Sequence, residues 1–178
     1  MKIHIIRHGQ TDWNVLKKIQ GQTDIELNEV GIKQANEARK KFNELDFDLI
    51  ICSPLTRTKQ TAKILNQDKN IKTIYSESLM ERGLGLLEGK PSELEVDALY
   101  DLNLNTKDNN VELASDFVKR VYNLLDNVKN NLHNKKVLLV THGGTARAIE
   151  AYFNGTNDGI MPPETLKNCE IREYIFDN

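Results

Sequence analysis

The chain has 178 residues, of which 39% are hydrophobic and 28% are charged, and its formal net charge at pH 7 is −2. This length allows one domain with a sizeable core, and the composition is typical of an ordinary soluble protein. The charge gives no electrostatic footprint for DNA or RNA, no apolar run reaches the length of a membrane span, and two cysteines are too few for a disulfide framework.

We therefore expect one domain over residues 1–178, without a nucleic-acid or membrane partner. The first residues lead directly into an apolar run rather than into a signal peptide, so we expect a cytoplasmic protein. The sequence does not determine the oligomeric state.

Strands and helices alternate along the predicted chain. Short apolar runs predict strands at residues 3–6, 49–52, 73–75, 136–140 and 171–176. Apolar residues at helical spacing predict helices at about residues 29–43, 56–65, 116–132 and 145–153. We expect Asn28 to cap the first of these helices and Ile32 to lie on its apolar stripe. The alternation predicts an α/β fold with helices on both faces of a sheet.

Polar side chains follow four of these strands. His8 follows the first strand, Arg57 the second, Glu81 the third and His142 the fourth. In α/β sheets, ligands bind beyond the carboxyl ends of the strands. We therefore expect these four side chains to meet in one active site.

The segment Arg7-His8-Gly9 carries the first of these groups. A guanidinium offers a planar fork of donors that suits phosphate oxygens, and an imidazole nitrogen can act as a nucleophile. We expect Gly9 to let the backbone turn without a steric cost. Taken alone, the segment could equally be a histidine and an arginine that cap a strand end, so its interpretation depends on the other strand ends.

Glu81 is the candidate residue for acid–base catalysis. Transfer of a phosphoryl group from an alkyl ester needs a group that protonates the leaving oxygen and then activates water. Glu81 is the acidic residue that follows a strand end beside glycine-rich backbone.

Other motifs fit their patterns poorly. Cys52 and Arg57 are separated by four residues, whereas the cysteine phosphatase loop needs five, so we expect Cys52 to pack in its strand. The glycine-rich residues 85–90 lack the spacing of a nucleotide loop, and Pro91 stands where a serine or threonine should bind magnesium.

A metal site is also disfavoured. His4, His8 and His142 are the candidate ligands, but the neighbouring arginines would repel a cation. We expect His4 to be a packed strand residue, and we expect neither a metal nor another cofactor.

A set of motifs runs in order through nearly the whole chain. These are Arg7-His8-Gly9 with Thr11 and Asn14, Gln20-Gly21, Leu27-Asn28-Glu29-Val30-Gly31, Ser53-Pro54-Leu55-Thr56-Arg57, Leu79-Met80-Glu81 with Gly85 and Glu88-Gly89, and Thr141-His142-Gly143-Gly144. Each is weak alone, but together they resemble the histidine phosphatase superfamily in its phosphoglycerate mutase-like branch.

The resemblance implies a three-layer αβα sandwich with a mostly parallel central sheet. It implies that His8 becomes phosphorylated, that Glu81 is the proton donor, and that Arg7, Arg57 and a protonated His142 hold the phosphoryl group. The implied substrate-binding residues are Thr11, Asn14, Gln20, Gly21, Gly143 and Gly144.

The choice between phosphatase and mutase depends on the segment that covers the site, which we place at residues 82–115. Residues 91–116 contain Lys107 as their only basic residue against seven acidic ones, and such a cover would repel a bisphosphate. Leu84 and Leu87 stand where the family usually has aromatic residues, which leaves the substrate open.

We therefore expect a metal-independent phosphatase for a small phosphomonoester, and the short cover resembles the bacterial type that acts on α-ribazole phosphate. Phosphoglycerate mutase-type transfer is the alternative. A non-catalytic module that binds phosphate esters or phosphoproteins is a further alternative, although it predicts loss of His8 or Glu81.

Overall fold

A β-sheet forms the centre of the computed structural model, which describes residues 1–92, 99–103, 110–163 and 166–176. Within these ranges the sheet has five strands in the order β3-β2-β4-β1-β5. They are β1 (Lys2–Arg7), β2 (Leu49–Cys52), β3 (Thr73–Tyr75), β4 (Val137–Thr141) and β5 (Ile171–Ile175). The first four strands are parallel, and β5 pairs antiparallel with β1 at one edge.

Helices cover both faces of this sheet. They are α2 (Glu29–Leu45), α3 (Thr56–Leu65), α4 (Ala114–Asn131) and α5 (Gly143–Asn154), whereas the short helix α1 (Asp12–Val15) buries none of its residues. Side chains alternate along the central strand β4: Val137 and Leu139 pack in the core that contains α4 and α5, and Leu138 and Val140 pack in the core that contains α2 and α3. The predicted αβα sandwich is confirmed.

The predicted helices and strands are confirmed, and none of their boundaries differs by more than two residues from the prediction. The apolar stripe of α2 was partly wrong, because Ile32 is 43% exposed while Ala35 and Phe42 are buried. Helix α1 was not predicted; it is a single turn that Thr11 caps through a reciprocal capping box with Asn14. No helix within the described residues is long and apolar enough to cross a membrane.

The expected role of Gly9 needs correction. Its φ is not in the left-handed region, so it is not needed for a turn. A Cβ on Gly9 would instead overlap the backbone of Gly31 in α2, and a Cβ on Gly31 would overlap the backbone of Gln10. The two glycines therefore let the loop after β1 lie directly against α2.

Part of the predicted cover segment lies outside the described residues. Residues 93–98 and 104–109 include Lys107 and four of the acidic residues on which the argument against a mutase rests. Of the described acidic residues, Glu112 forms an ion pair with Arg120 at 2.7 Å.

The contact between Gly31 and Gln10 predicts a stability effect that opposes helix propensity. Gly31→Ala places a methyl group in α2, which would ordinarily favour the helix by up to about 1 kcal/mol. Here the methyl group overlaps the Gln10 backbone, so we expect the free energy of unfolding to fall by about 1–3 kcal/mol. Urea denaturation measures this change.

Gly83→Ala is the matched control, because its Cβ would come no closer than 3.5 Å to any neighbour. We expect it to change the free energy of unfolding by less than about 0.5 kcal/mol. A Gly31→Ala variant as stable as the wild type would contradict the close packing.

Candidate active site

A cavity of about 230 Å³ opens beyond the carboxyl ends of the parallel strands. Most of the predicted site residues line it, namely Arg7, His8, Asn14, Gln20, Gly21, Arg57, Glu81, Gly143 and Gly144. A larger groove of about 900 Å³ lies beside α3 and β3, but none of the predicted site residues line it. Three of the four side chains predicted from strand ends, His8, Arg57 and Glu81, therefore meet at the smaller cavity.

His8 is held in the form that a nucleophile requires. Its Nδ1 lies 2.7 Å from the Gly9 carbonyl oxygen, which can only accept, so Nδ1 carries the proton and Nε2 keeps its lone pair. Burial lowers the pKa of His8 well below the usual value, and the charges of Arg57 and Arg7 lower it further. The ring is therefore neutral at pH 7.

Arg57 is a buried cation on the first turn of α3, only 1% exposed. Its Nη2 donates to the Gly21 carbonyl at 2.7 Å, its Nη1 to the Thr23 carbonyl at 2.9 Å and its Nε to His142 at 3.2 Å. Burial lowers the pKa of Arg57 to about 10, against the opposing charges of acidic groups, so it stays charged at pH 7.

His142 lies behind Arg57 and His8 rather than in the cavity wall. Its Nδ1 accepts the hydrogen bond from Arg57, and its Nε2 lies 2.7 Å from Ser53 Oγ, so the proton is on Nε2 and the ring is neutral. Burial lowers the pKa of His142 well below the usual value, and Arg57 lowers it further. The predicted protonated His142 is therefore wrong for this structure.

His142 nevertheless belongs to the same cluster. Its ring centroid lies 5.2 Å from that of His8, and it is fully buried. In this arrangement it orients Arg57. Ser53, whose hydroxyl contacts Nε2 of His142, was given no role, because sequence order does not show that Ser53 and His142 follow neighbouring strands.

The Glu81 carboxylate is held against the first turn of α5. Its Oε2 accepts from the Gly144 backbone N–H at 2.8 Å, and its Oε1 accepts from the Arg82 N–H at 2.9 Å. The side chain is 8% exposed and lines the cavity, as predicted.

Arg120 and Glu112 hold the segment that carries Glu81, and the sequence assigned neither of them a role. The Arg120 guanidinium donates to the carbonyls of Met80 at 2.9 Å and Glu81 at 3.0 Å, and it binds both carboxylate oxygens of Glu112. Glu88, the other acidic residue of the same sequence motif, does not line the cavity.

Thr11 is placed differently from its prediction as a substrate-binding residue. It is fully buried and does not line the cavity. Its Oγ1 lies 3.1 Å from Asn14 Oδ1 and 3.1 Å from Gln20 Oε1, two side chains that do line it. Thr11 therefore organises the cavity wall from behind.

The cavity wall also contains residues that the sequence analysis missed, chiefly Trp13, Lys17, Lys18 and Tyr100. Lys18 Nζ lies 5.7 Å from the centre of the Trp13 ring. The charged residues among the described lining are four cations and one carboxylate, so the cavity suits an anion. Within the described part of the chain, no group of three or more His, Cys, Asp or Glu side chains could hold a metal ion.

Comparison with known proteins gives one consistent family. The model of the histidine phosphatase superfamily (branch 1) matches residues 3–178. A Bacillus subtilis protein named uncharacterized phosphatase PhoE is 34% identical over 165 residues, which cover 93% of this chain and 83% of that one. A Yersinia pestis protein named probable phosphoglycerate mutase GpmB is 30% identical over 187 residues, covering 99% of this chain and 85% of that one.

A solved structure shows the same architecture. Phosphoserine phosphatase from Entamoeba histolytica, in complex with 3-phosphoglyceric acid, superposes with a TM-score of 0.76 at 34% identity, over 98% of this chain and 90% of that chain.

The buried neutral His8 predicts a pH dependence of stability. Its pKa is lowered in the folded protein but is about 6.5 when the chain unfolds. Below pH 6.5 the unfolded chain therefore binds a proton that the folded protein does not, so stability is lost as the pH falls. We expect the free energy of unfolding to fall between pH 6.5 and 5.5, with His8 contributing up to about 1.4 kcal/mol per pH unit.

The test compares the wild type with His8→Gln by urea denaturation at several pH values. We expect the variant to lose less stability over the same interval. Identical pH dependence of the two proteins would show that His8 is not held neutral by the fold.

Proposed function

Because the chain belongs to the histidine phosphatase superfamily, branch 1, we propose that it hydrolyses phosphomonoesters through a phosphohistidine at His8. The observation that carries the proposal is the hydrogen bond from His8 Nδ1 to the Gly9 carbonyl, which leaves Nε2 as a nucleophile beside a buried, charged Arg57. An enzyme of the histidine phosphatase type is also what the phosphatase-named relatives support.

In the first step, His8 Nε2 attacks phosphorus and the bond to the leaving oxygen breaks. The electron pair of that bond goes to the leaving oxygen, which takes a proton from the Glu81 carboxyl group. Arg57 and Arg7 stabilise the phosphoryl oxygens as charge redistributes. Much of the catalysis in such a transfer is positioning and charge stabilisation.

In the second step, water attacks the phosphorus of phosphohistidine and the P–N bond breaks. Glu81, now a carboxylate, takes a proton from this water, and the electron pair of the P–N bond returns to His8. Inorganic phosphate leaves and the starting state is restored. The proposal uses no metal ion.

The cavity supports a small leaving group. Its volume of about 230 Å³ lies below the range of about 300–1,000 Å³ typical of pockets for drug-sized ligands. We propose a small phosphorylated metabolite as the substrate, with α-ribazole phosphate as one compound to be tested.

Lys17 and Lys18 keep a second candidate function open. Within the described residues they form no ion pair, and they add positive charge to the cavity wall. These charges favour a substrate with a second anionic group, such as a phosphorylated carboxylic acid, and with it phosphoglycerate mutase-type transfer. They oppose the argument from an acidic cover, most of which rests on residues outside the described ranges.

The proposal predicts that His8 carries the phosphoryl group. With EDTA present, we expect wild-type enzyme to form an acid-labile phosphoenzyme and to release phosphate from members of a panel of p-nitrophenyl phosphate, α-ribazole phosphate, phosphoserine and phosphoglycerates. His8→Ala should abolish both, while His133→Ala, on the exposed surface, should abolish neither.

Each outcome separates two readings. Labelling that persists in His8→Ala would refute the nucleophile, and activity that EDTA removes and a divalent ion restores would refute metal independence. Transfer of the label to phosphoglycerate rather than to water would favour the mutase.

The proposed proton transfer predicts a dependence on the leaving group. An alkoxide is a strong base and needs its proton in the transition state, whereas p-nitrophenolate leaves readily. Glu81→Gln should therefore slow His8 phosphorylation by an alkyl phosphate about 10²–10⁴-fold, and by p-nitrophenyl phosphate much less. Single-turnover labelling isolates this step. Equal losses for both substrates would mean that Glu81 shapes the cavity and that the acid lies elsewhere.

A further inference from the structure

Glu88 lies outside the cavity and binds the loop at residues 20–24, which precedes α2. Its Oε1 accepts from the backbone N–H groups of Gln22 and Leu84, each at 2.9 Å, and its Oε2 accepts from the Thr23 N–H at 2.9 Å and from the Thr23 hydroxyl. A half-buried carboxylate with this many donors is fixed in place.

One peptide group joins Glu88 to Arg57. The peptide that links Gly21 to Gln22 donates its N–H to Glu88 at 2.9 Å, and its carbonyl accepts from Arg57 Nη2 at 2.7 Å. Thr23 makes a parallel link, since its N–H donates to Glu88 and its carbonyl accepts from Arg57 Nη1 at 2.9 Å. An anion and a cation thus polarise the same short stretch of backbone, which strengthens both sets of hydrogen bonds.

The packing at Gly21 fits this arrangement. Gly21 has φ of +52°, and a Cβ there would overlap the Glu88 carboxylate. The glycine lets the carboxylate approach the same backbone that holds Arg57. The sequence assigned Gly21 to substrate binding, and this contact gives it a second reason to be glycine.

We propose that Glu88 is a positioning residue for Arg57, acting through the backbone of Gly21, Gln22 and Thr23. The proposal rests on the proposed function, in which Arg57 stabilises the phosphoryl group. Within the described residues, Arg57 makes no direct ion pair with a carboxylate, so its charge is available to the substrate. Glu88 places that charge without neutralising it by contact.

A double-mutant cycle tests the connection. Glu88→Gln keeps the size of the side chain but puts amide donors against backbone donors. We expect it to slow single-turnover phosphorylation of His8 by p-nitrophenyl phosphate about 10–100-fold, the size of effect that a small displacement of a catalytic group produces. In an Arg57→Ala background, Glu88→Gln should lower the phosphorylation rate by less than about 3-fold, because the guanidinium that Glu88 positions is gone.

If Glu88→Gln slowed phosphorylation by the same factor in both backgrounds, the proposal would be overturned, since Glu88 would then act independently of Arg57. An unchanged rate in Glu88→Gln would also overturn it. If Glu88→Gln does not fold, Glu88→Asp, which draws the carboxylate back by one methylene, replaces it with the same expected pattern.

A second measurement does not require activity. The Arg57 Nε–H is buried and hydrogen-bonded to His142, so its NMR signal reports the position of the guanidinium. We expect Glu88→Gln to shift or broaden this signal, whereas Glu173→Gln, a carboxylate on β5 that binds Lys2, should not. An unchanged Arg57 signal refutes the positioning role. A wild type that forms no phosphoenzyme refutes the proposed function, and the Arg57 signal still decides the role of Glu88.

Discussion

Burial of the Arg57 charge constrains much of the site. A guanidinium that is 1% exposed has lost its water, and such a group is tolerated only when its N–H groups have acceptors. The acceptors are the carbonyls of Gly21 and Thr23 and the imidazole of His142. A loop from the N-terminal part of the chain and the histidine that follows β4 must therefore both contact a residue of α3.

Burial lowers the pKa of both histidines, and the charge of Arg57 lowers each pKa further. Arg57 donates to His142, which can accept only as a neutral ring, and its field also disfavours a proton on His8. The two histidines differ in the partners of their ring nitrogens. Both nitrogens of His142 are hydrogen-bonded, whereas His8 Nδ1 donates to a carbonyl and His8 Nε2 keeps its lone pair. In the proposed mechanism the free nitrogen of His8 is the nucleophile, while the hydrogen bond from Arg57 fixes the tautomer of His142.

The sequence was most informative where chemistry depends on strand order. His8, Arg57, Glu81 and His142 each follow a strand, and the parallel sheet places the carboxyl ends of these four strands at one edge. It was least informative where chemistry depends on long-range hydrogen bonds. No pattern indicates that Arg57 and Ser53 hydrogen-bond to the two ring nitrogens of His142. Thr11 was placed in the cavity because its motif adjoins His8, but the short helix α1 turns it behind the wall.

The loop at residues 20–24 contacts both the backbone at the start of α3 and the Arg57 side chain that this helix carries. Asp24 accepts from the N–H of Thr56 at 2.6 Å and from its hydroxyl at 2.8 Å, so the loop caps the first turn of α3 while its carbonyls bind Arg57 on the same turn. The side chain and the helix that carries it therefore share one support. In the proposed mechanism, the nucleophile His8 directly follows β1, whereas the phosphoryl-binding Arg57 is positioned by this loop together with His142.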